Sequence, residues 1–377
     1  MASKSDELLK MFQDYDGKIG NADPDSGTVT VKAAPQLWDN RHLFSWPDMP
    51  ANAVSVKLVS DLLMVSPTVL PGPDFEMPVF DRDTSWPEEA KLHIPEPDEE
   101  DIEHYVIPIE AGYWFCYGLR VNKPVFLSGV KGCGKSTLPK RVAALLNWPF
   151  VRKQMAKDLD SSEFFGQWVA HEGSTEFVLG DLPQAAVLGM MFLIDEISNA
   201  PPELHPSLHW TLEKGGKIYL NSKDGDIKDK IINPAETFRC MATDNSRGQG
   251  DARGHYAGVD VMNSATMDRF RVMIVMDYMS KAQEKKVLKN TVPGMTDLLA
   301  KKMIEVAWRV RAGYSAGDLS ETLSMRPLIE WAEKAILTRD IMGSLKITML
   351  NKIESESERQ EITAYVQSVF GSLLEEK

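Results

Sequence analysis

Cysteine is scarce in this chain: Cys116, Cys133 and Cys240 are the only ones among 377 residues. An odd number of scattered thiols excludes a disulfide framework and predicts a reducing compartment, the cytoplasm. Clusters of Cys and His at zinc spacing are missing. No apolar run is long enough to span a bilayer, so no membrane role is expected. The opening MASKSDELLK lacks the basic-then-apolar order of a secretion signal. Positive charge is outnumbered, with 42 Lys and Arg against 55 Asp and Glu and a net charge of −13. Gripping a nucleic-acid backbone needs a basic run or stripe, and the lack of one disfavours a DNA or RNA motor. Repeats and low-complexity tracts are absent as well.

What remains has the make-up of a globular protein, 43% hydrophobic and 26% charged. The length allows roughly two or three domains. Residues 1–85 read as an irregular extension of unassigned role, with SDELLKMFQDY as a short amphipathic helix and VSVKLVSDLLMV as a buried segment. Residues 86–103, WPEEAKLHIPEPDEEDIE, are rich in proline and acid and read as an extended linker. Over 104–279 apolar strands alternate with helices: PVFLSG at 124–129, STLPKRVAALLN at 136–147, GMMFLIDE at 189–196 and TFRCMATDN at 237–245. That alternation predicts an α/β fold, a mostly parallel sheet between helices, with ligands at the carboxyl ends of the strands. From 280 to 377 only helical segments remain, such as AKKMIEVAWRVRAG and RPLIEWAEKAIL, so this part reads as a helical domain.

The strand end at 129 runs into Gly129-Val130-Lys131-Gly132-Cys133-Gly134-Lys135-Ser136, with Thr137 opening the following helix. This is the spacing G-x-x-x-x-G-K-[ST]. Its glycines let successive backbone N–H groups turn toward one anion, and the helix start adds its positive dipole end. Lys135 is placed to reach the β- and γ-phosphates of ATP, and the Ser136 hydroxyl to ligate Mg²⁺. The strand before it and the helix after it separate this loop from an ordinary glycine-rich turn.

Asp195 and Glu196 close another apolar strand. Alone, such a pair would be a solvated acidic turn. Downstream of a phosphate loop, Asp195 is expected to hold Mg²⁺ and Glu196 to polarise the attacking water. Asn245 ends the third strand, where a neutral amide can orient that water. Arg269, in ATMDRFR, is a candidate arginine finger, with a surface ion pair as its plain alternative. Arg326, in LSMRPLIEWAEKA, starts a helix where a cation opposes the dipole, and that mismatch favours a functional role. His205 and His209 share helical spacing but have no third ligand nearby in sequence, so no metal site is expected there. QWVAHEGSTEFVLG and KIYLNSKDGDIKDKI read as hairpins.

Together these residues resemble the AAA+ ATPases of the MoxR class, and within it the CobS-type ATPase subunits of aerobic cobaltochelatases. The likeness runs over roughly residues 75–371, through GVKGCGKST, LNWPFVR, FRCMATDNSRGQGDARGHYAG, ATMDRF, SMRPLIEWAEKA and ITMLNKIESESERQEITAYVQSVFG. It implies that Lys135 and Ser136 are Walker A residues, Asp195 and Glu196 Walker B residues, Asn245 sensor 1, Arg269 the finger donated to a neighbour and Arg326 sensor 2. It implies an AAA+ core with a helical lid, and a homo-oligomeric ring, usually hexameric. It also implies a partner protein with a metal-adhesion domain and a large chelatase subunit. The activity would be ATP-driven insertion of Co²⁺ into hydrogenobyrinic acid a,c-diamide. In one respect the chain departs from CobS: Asp195-Glu196-Ile197-Ser198 follows the wider MoxR class, whose members remodel protein clients, rather than an Asp-Glu-Tyr-Asp pattern.

Overall fold

The computed structural model describes residues 46–99, 102–171, 173–213, 215–245 and 264–371. The SDELLKMFQDY segment and the glycine-rich stretch after Asn245 lie outside the described residues.

At the centre is a parallel sheet of five strands: β3 (Val125–Gly129), β4 (Phe150–Gln154), β7 (Met191–Asp195), β10 (Arg239–Asp244) and β11 (Val272–Met276), in the order β11-β3-β10-β7-β4. The inner strands β3, β7 and β10 are buried at every residue. Strands covered on both faces read as unbroken apolar runs, which is why their sequences stand out. The edge strands alternate instead. β11 exposes Met273 and Val275, and β4 exposes Arg152 and Gln154. These edges add to the strands expected from the sequence.

Helices α3 (Ile109–Arg120), α4 (Thr137–Leu146) and α6 (Asp181–Leu188) flank the sheet. Leu138, Val142 and Leu146 of α4 enter one apolar cluster with Phe126 of β3 and Phe192 of β7. Full burial of each such Phe stabilises the fold by about 1.5–3 kcal/mol.

The same cluster takes in much of what precedes it. β1 (Ala53–Leu58) pairs antiparallel with β2 (Glu76–Phe80). Val59 and Leu62 of the short α1 (Val59–Leu63), together with Phe75, Met77 and Phe80, join the sheet's core. Only Val59, Ser60, Leu62 and Leu63 of VSVKLVSDLLMV are buried, because Val54, Val56 and Leu58 face outward from β1 and Met64 is exposed. The stretch 86–103 also differs from the extended linker its composition suggests. It holds α2 (Glu88–Lys91), and Trp86, Ala90, Ile94 and Ile102 are buried. Glu88, Glu89, Glu96, Asp98 and Glu103 are solvated along with Leu92, while the buried Trp86, Ala90, Ile94 and Ile102 are spaced four or more apart.

A second apolar cluster begins at Leu288 and ends at Phe370. It is built by α9 (Lys281–Thr291), α10 (Asp297–Ala316), α11 (Met325–Thr338), α12 (Ile341–Thr348) and α13 (Glu356–Phe370), around a fully buried Trp331. Helix starts are marked chemically. Ser280 and Gln283 form a reciprocal capping box at α9, and the Thr296 and Ser355 hydroxyls cap α10 and α13. Among the described residues no helix is long and apolar enough to cross a membrane.

Candidate nucleotide site

The phosphate-type loop leaves β3 at Gly129, whose φ is 153° and where a Cβ would sit 2.0 Å from the Met276 carbonyl oxygen. At Gly132, φ 77°, a Cβ would lie 2.3 Å from the Ser324 side chain just ahead of α11. The loop is therefore wedged between the end of β11 and the helical domain, and a side chain at either glycine would push it out. Cys133 is buried within it, which pushes its thiol up from the usual range. Tyr278, just beyond β11, donates to the Lys131 carbonyl at 3.1 Å.

Lys135 is buried, and its Nζ donates to the carbonyls of Gly129 and Val130, both at 2.9 Å. Burial pulls its pKa below the usual lysine range, against the upward pull of Cys133, Asp195, Asp244 and Glu196. An anion at the loop would favour the charged form and give the ammonium a better partner than its own backbone.

Asp195 ends β7 and is buried with both carboxylate oxygens engaged. Oδ1 accepts from the Ser136 hydroxyl at 2.7 Å and from the Thr243 hydroxyl. Oδ2 accepts from Arg152 Nε at 2.7 Å and also from the Arg152 Nη2. The next residue, Glu196, has left-handed backbone angles, φ 54° and ψ 53°. That turn ends the strand and swings its carboxylate away from Asp195's partners. Its N–H donates to Thr243 Oγ1 at 3.0 Å. Its carboxylate accepts from neutral amides: Gln154 at 2.7 Å, Asn199 at 3.1 Å and Asn245 at 3.2 Å.

Lys135, Ser136, Asp195, Glu196 and Asn245 are thus gathered by β3, β7 and β10 at one end of the sheet. Arg269 is elsewhere. It follows α8 (Ser264–Met267), bonds the Ala265 carbonyl and pairs with Glu213 at 3.2 Å, at the end of α7 (Leu204–Leu212). Arg326 is exposed on the first turn of α11. His209 Nε2 bonds Thr266 Oγ1 at 2.8 Å.

The sequence reading missed Arg152, Gln154, Asn199 and Thr243. The first two come from the edge strand β4, whose parallel register sets Gln154 beside Asp195. No local signal marked them: in Phe150-Val151-Arg152-Lys153-Gln154 three long polar residues stand in a row, so no period of two picks out Arg152 and Gln154.

Both expected hairpins form. β5 (Gly166–His171) pairs with β6 (Ser174–Leu179), and β8 (Ile218–Tyr219) makes a short ladder with β9 (Ile231–Ile232). Trp168 Nε1 donates to the Ser222 carbonyl at 3.1 Å and so ties one to the other.

Comparison with known families places two models on this frame. The AAA domain of the dynein-related subfamily matches residues 124–270, and the CbbQ/NirQ/NorQ C-terminal domain matches residues 284–367. Among solved structures the chain resembles a yeast (S. cerevisiae) Hsp104:casein complex, 16% identical, covering 71% of this chain and 48% of that one with a TM-score of 0.44. An uncharacterized protein of Staphylococcus saprophyticus is 28% identical over 67% of this chain and 92% of its own length. The aerobic cobaltochelatase subunit CobS of Sinorhizobium sp is 32% identical over 307 residues, 79% of this chain and 90% of that protein. With the fold, the loop and the paired acids, the two family models and the likeness to CobS establish that the chain belongs to the CobS-like MoxR class of AAA+ ATPases.

Proposed function

We propose that this ATPase is the motor subunit of a cobalt chelatase, working as a cytoplasmic hexameric ring with a metal-adhesion-domain partner and a large chelatase subunit. The observation that carries this reading is the likeness to CobS across nine-tenths of that protein's length. Residues 104–279 serve as the nucleotide-binding core and 280–371 as the lid. A net charge of −13 argues for a protein client rather than a nucleic acid.

ATP lies along Gly129–Thr137. Lys135 leaves the Gly129 and Val130 carbonyls and turns to the β- and γ-phosphates. The Ser136 hydroxyl and the Asp195 carboxylate are hard oxygen donors of the kind magnesium takes, and they are already 2.7 Å apart. A magnesium ion held there would neutralise phosphate charge. Glu196 accepts the proton of the attacking water, and the Asn245 amide keeps its carboxylate aimed. Arg269, which pairs with Glu213 at the end of α7, serves the neighbour's loop in the ring. Arg326 approaches the γ-phosphate when the lid closes.

Lys135→Ala tests the site. Removing a buried cation that makes charge-assisted bonds is expected to weaken ATP binding about 100-fold in calorimetry. Unchanged affinity would dismiss the assignment. The chelatase role is tested by reconstitution with both partner subunits and a corrinoid precursor, following cobalt insertion by absorbance. ATP turnover without insertion would leave the second reading, a remodeller of a metal-adhesion-domain client. That alternative is favoured by the sequence Asp195-Glu196-Ile197-Ser198 and by the exposed Trp168 and Val178 on the paired hairpins.

A further inference from the structure

Arg152 has no part in the reading above, yet it is the cation bound to Asp195. The Asp195 side chain is 3% exposed, whereas that of Arg152 is 49% exposed. A buried carboxylate needs a compensating charge. Lys135 pulls on it only through space, its ammonium being bonded to loop carbonyls 2.9 Å away. Ser136 and Thr243 supply only neutral hydroxyls, both at Oδ1. Oδ2 belongs to the Arg152 guanidinium.

That guanidinium reaches further. Its Nη2 donates to Gln154 Oε1 at 3.3 Å, and Gln154 Nε2 donates to Glu196 Oε2 at 2.7 Å. One arginine therefore holds one acid directly and the other through an amide. Its position on an edge strand matters too. A half-exposed side chain on β4 can swing into solvent without opening the core.

We infer that Arg152 is a resident counter-cation of the site, a positioning residue that occupies Asp195 until a divalent cation displaces it. The inference rests on the nucleotide reading given above. Two cations drawn to one carboxylate repel each other, and the repulsion is larger where water is scarce. A divalent ion at Ser136 and Asp195 therefore drives Arg152 off Oδ2. Gln154 loses its guanidinium donor at the same moment, and its hold on Glu196 loosens. Loading of the metal and release of the base become one event.

The test is a Mg²⁺ titration of the full chain with N-methylanthraniloyl-ADP, read by fluorescence, for wild type, Arg152→Gln and Arg152→Lys. Removing the competitor should lower the Mg²⁺ midpoint about fivefold in Arg152→Gln, the upper end for a half-exposed pair. Lysine keeps the charge but cannot span Asp195 and Gln154 together, so its midpoint should fall between. In EDTA the affinity for the probe should be the same for all. A midpoint that stays put or rises in Arg152→Gln overturns the inference while leaving nucleotide binding intact. A wild type that binds no probe with or without Mg²⁺ overturns the nucleotide reading as well.

Discussion

At the carboxyl ends of β3, β7 and β10, the side chains assigned to phosphate, metal and water lie within hydrogen-bonding reach of one another or of the loop itself. Ser136 touches Asp195, Asn245 touches Glu196, and Lys135 folds onto Gly129. At α8 and at the start of α11 the picture is opposite. Arg269 is tied to Glu213, and Arg326 is exposed. The two regions differ in what positions them. Strand ends are fixed by the sheet's register, so a single chain assembles them. Arg269, in the turn after α8, and Arg326, on the first turn of α11, are not set by that register, and on the proposed reading their target is supplied by a second chain or by the motion of a lid. On the proposed reading the core gathers the residues for phosphate, metal and water and leaves the two arginines outside.

That contrast can be broken first at Arg269. As a finger, its loss to alanine should cut turnover by about 10³–10⁵ while ATP binding persists. In the wild type, specific activity should rise with protein concentration as rings form, followed alongside mass in solution. Full activity in a demonstrated monomer would mean that one chain completes its own site. Second comes Glu196→Gln, which should keep ATP bound and lower turnover by about 10²–10⁴. Wild-type turnover in that variant would reduce Glu196 to a solvated strand-end acid. The smallest effect is expected at Gln154→Ala. It deletes one of the amide donors to Glu196 but leaves Asn199 and Asn245 in place. Losing one hydrogen bond that restrains the base should raise basal turnover by at most roughly tenfold, with KM for ATP unchanged. A matching change in KM would move Gln154 from restraining the base to holding the nucleotide.

How much of this was legible beforehand follows the same division. The loop at 129–137 is contiguous, and each residue's place is set by its neighbours in the chain, so the spacing alone identified it. The same holds for β3, β7 and β10, whose burial on both faces leaves an unbroken apolar run. Arg152 and Gln154 were invisible because their meaning depends on the pairing of β4 with β7, which no local pattern announces. The stretch 86–103 was misread for a related reason. Prolines and acids dominate its composition, while Trp86, Ala90, Ile94 and Ile102 do the packing. Average polarity conceals a buried minority when that minority is widely spaced.

Glu196 carries a final consequence in its backbone. A non-glycine residue at φ 54° and ψ 53° holds a left-handed conformation that costs roughly 1–2 kcal/mol, a strain that glycine largely avoids and asparagine partly does. Replacing the glutamate by either would ease the chain and discard the base. Laboratory evolution toward heat tolerance alone would therefore drift at this position toward a hardier, inactive protein. Only a selection that also scores ATP turnover would keep the acid. The residue at 196 is in that sense a record of which pressure the sequence has been under.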